Sequence, residues 1–82
     1  MKNTFSVHYG GNEIRIVPLP ADKHGNIFYD AYLPGEKITI VYKEDDEGAG
    51  HWLDEKTNNT TAISLEIGEL IELYLLENKL DN

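Results

Sequence analysis

Apolar and polar residues alternate along four segments in the first half of the chain. The alternation covers residues 3–9, 13–17, 27–33 and 37–43. In the first of these segments, Phe5, Val7 and Tyr9 share one face, which is the two-residue period of a half-buried strand. Turn residues separate the segments, and Gly10-Gly11 and Pro34-Gly35 both favour tight hairpins. The pattern therefore predicts a four-stranded antiparallel meander sheet.

Residues 44–61 predict a long acidic loop, because four consecutive acids open the segment and no regular alternation follows them. The segment also contains Trp52, which is the only tryptophan of the chain. A large aromatic side chain in so small a protein is expected to anchor the core. We expect Trp52 to lie either in a short fifth strand or in a loop that covers one end of the sheet.

A helix is predicted over residues 62–78, which are rich in Leu, Ile and Glu, after N-cap candidates at 59–61. The fold class is therefore α+β, a single domain over residues 1–82 with one C-terminal helix packed on one face of the sheet. At about 100° per residue, the apolar positions of the helix form two arcs. The arc expected to face the sheet contains Ile63, Ile67, Leu70, Ile71 and Tyr74. The second arc contains Leu65, Leu73, Leu76 and Leu80.

One helix cannot press both arcs against one flat sheet, so three explanations compete for the second arc. The sheet curls around the helix, the Trp52 segment covers the leucines, or the leucines contact a protein partner or a second copy of the chain. On the sheet face away from the helix, Phe28 and Tyr32 suggest a platform for a ligand. The alternative for these two aromatics is cross-strand packing, which stabilises antiparallel pairs.

The net charge of −8 is concentrated in the second half of the chain, where residues 44–82 carry eleven acidic and two basic side chains. This excess argues against nucleic acid and against an anionic membrane surface as partners, since both need a cationic surface. No apolar run is long enough to span a bilayer, and residues 1–9 alternate rather than form the apolar core of a signal peptide. The expected localisation is cytoplasmic.

The sequence offers no catalytic constellation. There is no cysteine, and His8, His24 and His51 lie on separate predicted elements without metal-ligand spacing. The acids of 44–47 are consecutive, whereas a calcium loop alternates its ligands around a central glycine. We therefore expect no cofactor, no metal site and no enzymatic activity.

Three function classes follow from these features. The leading hypothesis is a small acidic interaction module that binds an unknown protein partner, or a second copy of itself, through the C-terminal helix. The second is an acidic decoy or inhibitor of a basic protein, because the carboxylates are so numerous. The third is a small-ligand binder that uses the open sheet face and the Trp52 loop.

Overall fold

In the computed structural model, which describes residues 4–79, five antiparallel strands form one sheet and a helix packs against it. The strands and the helix are β1 Phe5–Tyr9, β2 Asn12–Pro18, β3 Ile27–Leu33, β4 Glu36–Glu44, β5 Gly50–Asp54 and α1 Ala62–Lys79. The sheet order is β1-β2-β3-β4-β5, so each strand pairs with its neighbour in the chain. The predicted α+β meander with one C-terminal helix is confirmed, in the five-stranded form.

Of the two places expected for Trp52, the structure shows the short fifth strand, so β4 and β5 take up part of the segment 44–61 that was predicted as an acidic loop. Glu44 is the last residue of β4, and Gly50–Asp54 form β5, in which Trp52 lies opposite Tyr42. The acidic residues that remain between the two strands form a turn, which Asp45 closes by accepting backbone hydrogen bonds from Glu47 and Ala49. The burial of Trp52 explains the difference, since pairing with β4 places the indole on the apolar face of the sheet.

The turn between β1 and β2 depends on its two glycines. Gly10 and Gly11 have φ angles of 60° and 80°, both in the left-handed region. Two consecutive positive φ angles match the right-handed twist of a two-residue hairpin, and glycine adopts them without steric cost. The turn sets the register that pairs Tyr9 with Asn12 and Phe5 with Ile16.

The core lies between α1 and one face of the sheet. Alternate residues of each strand point toward the helix and are buried there. The buried members of this core are Phe5, Val7, Ile14, Ile16, Tyr29, Ala31, Ile40, Trp52, Ile67 and Ile71. The Phe5 ring stacks on Tyr74 with 3.9 Å between ring centroids, so the first strand is tied directly to the second half of the helix.

Thr61 and Ser64 fix the start of α1. The Ser64 backbone N–H donates to Thr61 Oγ1 at 3.0 Å, and the Thr61 backbone N–H donates to Ser64 Oγ at 2.9 Å. This reciprocal pair is a capping box, here with serine in the position that glutamate usually takes. The Ser64 hydroxyl also donates to the Trp52 carbonyl at 3.2 Å. The helix therefore begins in a fixed orientation against β5.

Contrary to the prediction, Ile63 does not face the sheet. It is 36% exposed, whereas its neighbour Ser64 is fully buried. Gly68 is buried against the indole of Trp52, and an added Cβ there would lie within 3.0 Å of three indole atoms. Because the helix is closest to the sheet along Ser64 and Gly68, the core face is rotated away from Ile63. The described residues contain no helix with the length and apolar character needed to cross a membrane.

Candidate functional site

The face of α1 opposite the core carries the leucines of the second arc. Leu65, Leu73 and Leu76 are 42%, 52% and 61% exposed, and we refer to these three residues as the leucine surface. In the part of the chain that the structure describes, neither the sheet nor β5 covers them, so two of the three explanations for the second arc do not hold. Leu80, the fourth predicted member, lies outside the described residues.

Acidic side chains surround the leucine surface. Glu66, Glu69, Glu72 and Glu77 are all exposed on α1, and residues 62–78 contain no lysine or arginine. At about 100° per residue, Glu69 lies between the leucines, while Glu72 lies at one border of the surface and Glu66 and Glu77 lie at the other. The surface therefore combines apolar contact area with a negative charge.

A groove of about 610 Å³ extends the leucine surface toward the β1–β2 turn. Leu70 and Leu73 line its helix side, and His8 and Tyr9 line its sheet side. The Tyr9 hydroxyl donates to Glu66 Oε1 at 3.0 Å and connects the two walls. This hydrogen bond to the carboxylate raises the pKa of Tyr9 above its ordinary value of 10.0.

A second concave feature lies beside Trp52, between the sheet and α1. This pocket of about 210 Å³ is lined by Ile27, Tyr29, Tyr42, Trp52, Glu72 and Leu75. The Tyr42 and Tyr29 ring centroids lie 5.0 Å and 5.9 Å from that of Trp52, tilted by 56° and 43° to the indole plane. Three aromatic rings therefore form the wall, and the Glu72 carboxylate is the one charged group of the lining.

Burial raises the pKa of Tyr29, as expected for a phenol that is moved out of water. The Trp52 indole N–H is also buried, and no residue of 4–79 accepts a hydrogen bond from it. Leaving such a donor unpaired costs about 1–3 kcal/mol. The position of the indole is thus determined by apolar packing against Gly68 and the two tyrosines rather than by a polar contact.

The sequence pattern predicts that Trp52 anchors the core, but it does not predict the pocket beside the indole. Tyr29 and Tyr42 belong to the inward faces of β3 and β4, where the pattern indicated only core packing. Glu72 lies one helical turn after Gly68, and that spacing is the one signal that places it near the indole. Recognising this signal requires knowledge that Gly68 contacts Trp52, which no sequence pattern provides.

The open face of the sheet separates the two residues of the predicted platform. Tyr32 is 37% exposed and lies under Arg15, whose guanidinium carbon is 4.5 Å from the ring centroid. Phe28 is half-buried in the neighbourhood of Val41, its partner on β4. Asp30 lies between them on the same face of β3, so the two rings do not form one continuous surface. The platform stays a prediction.

The Asp30 carboxylate is buried on this open face and accepts a hydrogen bond of 2.6 Å from Thr39 Oγ1. Lys37 Nζ lies 3.8 Å from its other oxygen. The three side chains form a cross-strand network that offsets the cost of burying a charge. Within residues 4–79, no three His, Asp or Glu side chains are grouped closely enough to hold a metal ion.

Comparison of the chain with models of known protein families, with curated proteins and with solved structures found no match. Function is therefore inferred from the two features that stand out on this fold. One is the leucine surface with its acidic border, and the other is the aromatic pocket beside Trp52.

Proposed function

We propose that this chain is a non-enzymatic interaction module of the cytoplasm, and that its leucine surface binds a basic amphipathic segment of a partner protein. The observation that carries the proposal is the exposure of Leu65, Leu73 and Leu76 on one face of a helix whose opposite face is fully engaged in the core. Single exposed apolar residues are common on protein surfaces, whereas three on one face of a helix, two of them three residues apart, favour an interaction site.

The shape of the region suits an elongated partner. The leucines follow α1 over three turns, and the groove beside Leu70 and Leu73 widens the surface toward Tyr9. An amphipathic helix binds such a surface through apolar residues that recur at a helical spacing. The contact would cover the side chains that the fold itself leaves in water.

The charge of the surface favours a basic partner over a second copy of the chain. Glu69 lies among the leucines and Glu66 lies at their border, and a symmetric pairing of two copies would bring both sets of carboxylates together. Like charges placed opposite each other disfavour association, whereas lysines or arginines at the border of a partner's apolar face would complement them. The acidic border therefore supports a heterotypic contact.

The proposal can be tested with a synthetic helix-forming peptide that carries leucines on one face and lysines beside them. We expect the protein to bind this peptide and to bind a version with glutamates in place of lysines at least about tenfold more weakly. The double substitution Leu73→Gln and Leu76→Gln should weaken binding by roughly thirtyfold. This factor corresponds to about 2 kcal/mol for two half-exposed leucines that become buried.

Ile63→Gln is the matched control, because Ile63 is an exposed apolar residue of the same helix outside the leucine surface. It should leave the affinity within about twofold. Equal losses for the control and the double variant, or no loss for either, would contradict the proposal. Sedimentation should show a monomer, and a dimer that Leu76→Glu dissociates would replace the heterotypic contact with self-association.

A further inference from the structure

The pocket beside Trp52 has the size of a small-molecule site. Its volume of about 210 Å³ exceeds the roughly 150 Å³ of apolar cavities that bind benzene in other proteins. Ile27 and Leu75 provide aliphatic contacts at its sides. A ligand that fits here contains one ring or a branched alkyl group of similar volume.

The wall of the pocket is suited to a positive charge. Tyr29, Tyr42 and Trp52 all line the space, and both tyrosine rings are tilted to the indole rather than stacked on it. Aromatic faces carry negative electrostatic potential and attract ammonium groups, most strongly where water is excluded. An arrangement of several rings around one space is the usual means of binding alkylated ammonium ions.

Carboxylates line the pocket and the cleft next to it. Glu72 is part of its lining, and the neighbouring cleft shares Ile27 and Tyr42 with the pocket and adds Glu44 and Asp45. His24 is the one basic side chain of that cleft, and neither lining contains lysine or arginine. The local charge therefore favours a cation over a neutral or an anionic molecule of the same shape.

We propose that this pocket binds a small hydrophobic cation, in which an apolar group fills the space beside Trp52 and an ammonium group interacts with the aromatic rings and with the Glu72 carboxylate. The site lies on the helix side of the sheet, away from Phe28 and Tyr32. The pocket shares Glu72 with the border of the leucine surface but contains none of its three leucines, so either proposal can fail without the other.

The test uses three probes with one cyclohexyl ring and different charges: cyclohexylmethylammonium, cyclohexylmethanol and cyclohexanecarboxylate. None of them absorbs where tryptophan does, and Trp52 is the only tryptophan, so the fluorescence change comes from a side chain that lines this pocket. We expect a saturable change with the ammonium compound at an affinity at least about fivefold above that of the alcohol. The carboxylate should bind most weakly.

Glu72→Gln should remove most of the preference for the ammonium compound over the alcohol and leave the affinity for the alcohol unchanged. Glu69→Gln is the matched control, since Glu69 is an exposed glutamate of the same helix that does not line the pocket. The absence of a saturable response to any probe would overturn the site. Equal affinities for the three probes would contradict the proposal that the ligand is a cation. An effect of Glu69→Gln equal to that of Glu72→Gln would contradict the proposal that the Glu72 carboxylate interacts with the ammonium group.

Discussion

Replacing Gly68 with alanine sets two effects of opposite sign against each other. In the interior of a helix, alanine is more favourable than glycine by about 1 kcal/mol, so helix propensity alone predicts a more stable protein. At this position, however, the new methyl group would lie within 3.0 Å of Cγ, Cδ1 and Cδ2 of Trp52. Real Cβ atoms do not approach other atoms so closely, and either the indole or the helix must move.

The clash outweighs the gain in propensity because both partners are confined. Trp52 is 6% exposed and contacts Tyr29 and Tyr42, while the helix is tied to β5 through Ser64. Overpacking a confined site costs about 1–3 kcal/mol, and contact with three ring atoms places this variant at the upper end. After subtraction of the propensity gain, we expect a net loss of about 2 kcal/mol.

Urea unfolding and thermal melting of Gly68→Ala measure this difference. A loss of about 2 kcal/mol should lower Tm by roughly 8–16 °C in a domain of this size. The emission of Trp52 should also shift to longer wavelength, because displacement of the indole exposes it to water. Glu69→Ala is the control in the next position, where an exposed side chain is removed and stability should change by less than about 0.5 kcal/mol.

A more stable Gly68→Ala variant with unchanged Trp52 emission would refute this reasoning. Such a result would mean that propensity decides the outcome and that the helix does not lie as close to the indole as described. It would also remove the explanation given for the exposure of Ile63, since the contact at Gly68 is what rotates the helix.

Two further predictions concern the polar contacts outside the core. Thr39→Val removes the hydrogen-bond donor from the buried Asp30 carboxylate, and urea unfolding should show a loss of about 1–3 kcal/mol; an unchanged midpoint would contradict the assigned bond. The hydrogen bond from His51 and the backbone donors of the β4–β5 turn lower the pKa of Asp45. The charged form of Asp45 therefore stabilises the fold above the ordinary pKa of 3.8, and this contribution disappears as the pH falls through the lowered pKa. The stability difference between wild type and Asp45→Asn, measured by urea unfolding at several acidic pH values, should therefore shrink as the pH falls below about 4, and a difference that persists unchanged to about pH 2 would contradict the assigned interaction.

The strands were predictable because their signals are local. The alternation of Phe5, Val7 and Tyr9 and the paired glycines at the first turn determine a strand and its hairpin without reference to the rest of the chain. The predicted bounds of the strand over 27–33 match those of β3, and the predicted helix ends one residue before α1 does.

The rotation of the helix and the pocket depend on contacts between distant segments. A hydrophobic arc favours Ile63 over Ser64 as a core residue, and the bonds of Ser64 to Thr61 and Trp52 reverse that preference together with the close approach of Gly68 to the indole. The pocket likewise requires a gap between β-strand aromatics and the second half of α1. Neither the rotation of the helix nor the pocket follows from the periodicity of one segment, because both depend on how distant segments pack.

The agreement between strand order in the sheet and strand order in the chain has a consequence for folding. Each strand pairs with the one just before it, so the sheet closes only short loops and can form early. The helix follows all five strands, and its contact between Tyr74 and Phe5 spans nearly the whole described chain. A newly synthesised chain whose sheet forms before α1 docks therefore exposes the face that carries Ile16, Ile40 and Trp52, and exposed apolar surface of this kind favours aggregation. The 18 residues of α1 thus carry the proposed binding surface and also cover the sheet face that a nascent chain leaves in water.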